Sequence, residues 1–127
     1  MIRLDTQQRK LQAFLGGAVA TTSLDVVACF FEFGNEAQRR EKSCMQLSRL
    51  SGATPVDIVD APPAVMNREI DYLSINNNDS AAATVTVRLN DNGTFNKPFV
   101  VTLAVGDSLH FGRAGWSVMD SSGAIKR

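Results

Sequence analysis

The sequence predicts an all-β protein: an antiparallel β-sandwich, jelly-roll or immunoglobulin-like, with an extended N-terminal arm. Three observations predict it. Residues 55–126 read as short strands punctuated by Asn/Asp/Gly turns. Within those strands apolar and polar residues alternate with period two. The turns recur about every 8–12 residues, the spacing of a sandwich or barrel.

The chain divides into residues 1–23, an arm or pair of edge strands, and residues 24–127, the sandwich body. In the first part Ile2, Leu4, Leu11, Ala13 and Leu15 keep period two in two pieces separated by the polar Thr6–Lys10. Two short strands or an extended arm fit this; a helix over Gln7–Leu15 fits less well. Gly16-Gly17 breaks the pattern, and Ala18–Thr22 is small and polar, suited to lying flat on a neighbouring surface.

Leu24–Phe33 is a strand with two apolar faces. Leu24, Val26, Ala28 and Phe30 share one, and Val27, Cys29, Phe31 and Phe33 the other. Such a strand is either buried on both sides or covered by a partner chain. Residues 34–54 change character, with Glu36, Arg39, Arg40, Glu41 and Lys42 close together. This stretch fits a charged loop or a short helix, because Glu36 stands four residues ahead of Arg40.

The sheet signals then become regular. Val56–Val59 is a short strand, followed by the rigid connector Ala61-Pro62-Pro63-Ala64. Arg68–Asn76 alternates and ends in a polar turn. In Ala83–Asn90, Val85, Val87 and Leu89 oppose Thr84, Thr86 and Arg88. Asp91-Asn92-Gly93 is a hairpin turn, since Asn and Gly tolerate the positive φ that tight hairpins demand. Pro98 inside Phe95–Leu103 marks that strand as an edge or a bulge. Leu109 and Phe111 alternate with Ser108 and His110, Trp116–Met119 is a further strand, and Asp120–Gly123 turns the chain into Ala124–Lys126.

The totals restrict function. The chain has 127 residues, 44% of them hydrophobic, with 13 basic and 13 acidic residues and a formal net charge of zero. One domain with its own core is expected. A balanced charge carries no electrostatic footprint for direct contact with nucleic acid and sets no long-range repulsion between like copies. No apolar run reaches the ~20 residues that span a bilayer, so no membrane association is expected. Cys29 and Cys44 are read as buried or half-buried thiols in a reducing cytoplasm.

Residues able to do chemistry do not form a recognisable motif. A lone histidine, His110, is read as a solvent-face residue. Asp57, Asp60, Glu69 and Asp71 cluster in sequence, which a wet sheet face explains. The Asn76–Asp79 and Asn90–Asn92 runs lack the ligand rhythm of a calcium loop and are read as turns. Arg39, Arg40, Lys42 and Arg49 are interspersed with Glu36 and Glu41 and lack interleaved aromatics. No cofactor and no catalytic role are expected.

Several series resemble small virion proteins of tailed bacteriophages, of head-decoration or head–tail neck type. They are Asp60–Pro63 with Arg68–Asn77, Ala83–Thr94, Leu103–Leu109 and Gly115–Gly123, joined by Leu4–Thr6 and Leu15–Thr22 near the start. The resemblance covers most of the chain apart from residues 34–54. It implies a non-enzymatic structural component of the virion, made in the host cytoplasm. Its partners would be other copies of itself and the major capsid protein or neck and connector proteins. Binding is then expected through Leu4, Leu11, Phe14 and Leu15 of the arm, through Phe30, Phe31 and Phe33, and through Trp116. The alternative is a tail- or fibre-associated module that stacks host glycans on Trp116 and Tyr72. A third reading, a small hydrolase, would use Asp57, Glu69 or Asp71.

Overall fold

The alternation seen in the sequence becomes two sheets packed face to face. The computed structural model describes residues 2–34 and 42–126. Among these, the strands are β1 (Ile2–Leu4), β2 (Arg9–Leu15), β3 (Leu24–Gly34), β4 (Lys42–Leu50), β5 (Val56–Val59) and β6 (Met66–Asn76). They continue with β7 (Ala83–Asp91), β8 (Thr94–Leu103), β9 (Ser108–Gly112), β10 (Gly115–Met119) and β11 (Ile125–Lys126). One sheet has seven strands in the order β11-β10-β9-β6-β3-β4, with β1 also on β6. The other has the order β5-β2-β7-β8. Neighbouring strands in both are antiparallel.

The core lies between the sheets. Leu24, Val26, Ala28 and Phe30 of β3 point into it, as do Ile70, Leu73 and Ile75 of β6. Leu11, Ala13 and Leu15 of β2, with Val85 and Val87 of β7, meet them from the second sheet. Each fully buried Leu or Ile contributes roughly 1.5–3 kcal/mol relative to exposure.

Residues 2–23 do not form an arm separate from the body. Of the two options in the sequence, strands are what the chain adopts. β1 pairs with Arg68–Ile70 of β6, and β2 runs between β5 and β7. The physical reason is burial: Leu4 and Leu11 are 0% exposed and Leu15 is 2% exposed. Side chains so fully covered by their own chain belong to its core and are not available to a neighbour, which corrects their expected role as interface residues.

Within the charged loop or helix expected over 34–54, the part from Lys42 to Leu50 is strand instead. Lys42–Leu50 is a nine-residue strand, registered on β3 from Leu24↔Leu50 to Glu32↔Lys42 without a shift. Period two decides it: Leu50 is buried, Cys44, Gln46 and Ser48 are half-buried, and Met45, Leu47 and Arg49 are exposed. Glu36 and Arg40, the pair that suggested a helix, lie outside the described residues.

The two long sides of the sandwich close differently. On one, Gln46 of β4 reaches across to β5, its Nε2 donating to the Asp57 carbonyl at 3.1 Å and its Oε1 accepting from the Asp60 N–H at 3.0 Å. On the other, Trp116 of β10 stacks on Phe99 of β8. The turn Asn92-Gly93 has φ of 51° and 93°, the double positive φ that the sequence predicted there. β8 is an edge strand, and its register with β7 shifts between Val87 and Leu89, opposite the position of Pro98.

Candidate interaction surface

Strand β3 was expected to be covered on both faces, and one of them has no second layer among the described residues. Its outer side chains Val27, Cys29, Phe31 and Phe33 are half-buried. The β3–β4 ladder sets Leu47 opposite Val27, Met45 opposite Cys29 and Ser43 opposite Phe31. Met45 is 65% exposed and Leu47 69%. Arg49 and Asp25 pair at 3.3 Å at one end of this strip. A shallow depression of about 540 Å³ is lined here by Asp25, Val26, Val27, Leu47, Ser48 and Arg49. At the other end the Arg3 guanidinium lies 5.0 Å over the Phe33 ring. The result is an apolar strip along β3 and β4 with a charge pair at one end and a cation at the other.

The same face turns polar on β6, β9 and β10. Tyr72 Oη lies 2.9 Å from His110 Nδ1, and Ser108 Oγ lies 2.8 Å from His110 Nε2. A neutral imidazole has one N–H and one lone pair, so one hydroxyl accepts from the ring and the other donates to it. Ser and His at this distance match a nucleophile–base pair only in part. The third group is a phenol rather than a carboxylate, and the strands around Ser108 are paired in the β6–β9 and β9–β10 ladders. The arrangement orients a histidine on a sheet face, as the sequence reading of His110 expected.

The expected binding residues separate into groups. Phe31 and Phe33 lie on the uncovered face. Phe14 is half-buried on the outside of the second sheet, with the Arg88 guanidinium 5.3 Å from its ring and 3.8 Å from that of Phe95. Phe30, 5% exposed, is in the core under Arg68. Trp116 is half-buried between Phe99 and Phe111, each centroid at 4.8 Å. Burial by their own chain removes Phe30 from the interface residues, and Trp116 serves first to join the sheets. Tyr72 and Trp116 point to opposite faces of the seven-stranded sheet and do not share a platform.

The carboxylates are dispersed as well. Asp57 in β5 accepts from Lys10 Nζ at 3.2 Å and Gln12 Nε2 at 2.7 Å on the second sheet. Glu69 and Asp71 belong to β6 in the first, and Asp71 is the extra residue of a bulge, since Cys29 pairs with Tyr72 and Phe30 with Ile70. Among the described residues no group of three or more His, Cys, Asp or Glu is placed to hold a metal ion. Among the same residues no helix is long and apolar enough to cross a membrane.

Asp79 shows how the loops at one end are held. Its carboxylate accepts from the N–H groups of Ala20, Thr21, Thr22 and Ser80 at 2.8–3.1 Å. These bonds, that of Ala20 foremost, hold its pKa well below the usual carboxylate range. The side-chain hydroxyl and backbone N–H of Ser122 and the N–H of Ala124 lower that of Asp120 in the same way. Asp79, which ends the Asn76–Asp79 run, is therefore engaged by the protein's own N–H groups.

Met45 and Leu47 were missed from sequence. The signal was present: Ser43, Met45, Leu47 and Arg49 alternate with Cys44, Gln46, Ser48 and Leu50. The charged residues just before them obscured it. No protein-family model, curated protein or solved structure matches this chain.

Proposed function

We propose that this protein is a structural subunit of a tailed-phage virion, binding like copies and head or neck neighbours and making or breaking no covalent bond. The observation that carries the binding role is the uncovered apolar strip of Met45, Leu47, Val27 and Phe31 on β3 and β4. Large hydrophobic side chains side by side on a sheet face mark an interaction surface. The series from Arg68–Asn77 through Gly115–Gly123, similar to head-decoration and neck proteins, supports the virion setting.

The mechanism is burial. Covering the strip removes apolar area from water, at roughly 25 cal/mol per Å². Repetition on a symmetric shell makes weak single contacts hold, because each added contact is intramolecular once the first has formed. A net charge of zero lets copies approach closely.

The test is the composition of purified particles. The chain is expected in them at a fixed copy number, and that number separates a head decoration from a neck component. Replacing Leu47 by Ser is expected to lower occupancy while leaving the fold intact. Particles that form at full stability without the chain, and never contain it, would overturn the proposal.

A further inference from the structure

We propose that β4 pairs with the β4 of a second copy, antiparallel about a two-fold axis at Gln46, so that the seven-stranded sheets of two subunits run on as one. This deepens the structural-subunit reading and rests on it for its biological setting. The argument begins with the sheet edges. Apart from the three-residue β1, whose one strand partner is β6, one sheet ends at β11 and β4 and the other at β5 and β8 among the described residues. Open edges invite strand addition, and proteins blunt those they do not use.

Three of these edges are blunted. β11 is two residues long. β8 carries Pro98 and a register shift. β5 has four residues; Gln46 and Ser48 already engage its Asp57 carbonyl, and Gln46 also accepts from the N–H of Asp60 just beyond it. β4 differs in every respect: nine residues, no proline, no glycine and an unbroken register with β3.

The sequence of β4 suits a copy of itself. An antiparallel pairing centred on Gln46 engages all nine residues, with Lys42 opposite Leu50 at both ends. Moving the centre by one residue leaves an end of each strand unpaired. In the full register Met45 meets Leu47 of the second copy, twice, on the uncovered face. Ser43 meets Arg49, so no two like charges stand opposite each other. A nine-residue edge is about 30 Å long, which places the contact among small interfaces and suits an assembly that multiplies it.

Sedimentation of the whole chain tests this. Wild type is expected to show a monomer–dimer equilibrium. Met45→Lys with Leu47→Lys sets lysine opposite lysine and is expected to sediment as a monomer, as is Met45→Glu with Leu47→Glu. An equal mixture of the two variants is expected to regain the dimer, because each lysine then meets a glutamate. A dimer that survives in both variants alone, or a mixture that stays monomeric while wild type dimerises, overturns the pairing. Should either variant fail to fold, amide hydrogen exchange of wild type decides. Protection within 42–50 that rises with concentration supports the pairing, and protection independent of concentration overturns it. A wild-type chain that is monomeric in solution yet present in virions sinks the pairing and leaves the subunit reading. A charge-swapped dimer from a chain absent from particles does the reverse.

Discussion

Phe99 and Trp116 stack across the sandwich, ring centroids 4.8 Å apart and planes 15° from parallel. Phe99 belongs to the four-stranded sheet and Trp116 to the seven-stranded one, so the pair ties the sheets on the side away from β4 and β5. Trp116→Ala is expected to lower stability by about 3 kcal/mol, and a double-mutant cycle with Phe99→Ala to show coupling of about 1 kcal/mol. Denaturant titration with an unchanged slope measures both. A glycan-stacking tryptophan would behave differently, losing ligand with stability intact.

Asp79 predicts the acid limb of the stability curve. Its folded pKa is depressed by four N–H donors, whereas in the unfolded chain it returns to about 3.9. The fold thus favours the ionised form. The stability this contributes is fully present above the unfolded value and is lost as pH falls through the range below it. Asp79→Asn keeps the shape but turns an amide nitrogen toward backbone donors. It is expected to lower Tm by several degrees at neutral pH. The gap from wild type is expected to narrow as pH drops below about 4. Parallel Tm curves for the two proteins across that range would rule the clamp out.

How much of this was legible in the sequence depends on which residues had local signatures. Val85, Val87, Asn92-Gly93 and the edge position of β8 were readable because alternation, a positive-φ turn and proline act within a few residues. The two-faced character of β3 was readable too, although whether a partner or a second layer covers the outer face is a tertiary matter. Leu4 and Leu11 were recognised as apolar and period-two, yet the polar Thr6–Lys10 between them looked like the mark of a loose arm. Its first part crosses from one sheet to the other, and Arg9-Lys10 already begin β2, a fact set by pairing with β6 and β7 far along the chain. Met45 and Leu47 were hidden by charge density next to them. Asp79 gave no hint, since three of its four donors, the N–H groups of Ala20, Thr21 and Thr22, reach it only after the loops dock.

The placement of β2 gives a direct test. Leu11 is fully buried on a strand with neighbours on both sides. Leu11→Ala is expected to cost about 3 kcal/mol. Deleting residues 1–17 would remove β1 and β2 together, leaving β5 and β7 without the strand between them. The truncated chain is expected to lack a cooperative thermal transition and the near-ultraviolet signal of packed aromatics. A truncated chain that folds normally would restore the arm.

Gly106 sits where the last hairpin returns over the loop after β8. Its φ is +83°, and a Cβ placed there would come 2.8 Å from Ser121 Cβ. The loop has little room to yield, because Gly106 N–H donates to the Asn77 carbonyl at 3.1 Å and Asn77 N–H donates to the Asp107 carbonyl at 2.9 Å. Gly106→Ala therefore meets two separable penalties. The left-handed backbone costs an L-residue about 1–2 kcal/mol. The contact with Ser121 adds overpacking of about 1 kcal/mol or more. Adding Ser121→Gly removes the second and leaves the first, so the double variant is expected to recover part of the loss and no more. Full recovery would mean that the backbone at 106 relaxes out of positive φ. No recovery would mean that Ser121 had already moved aside in the single variant.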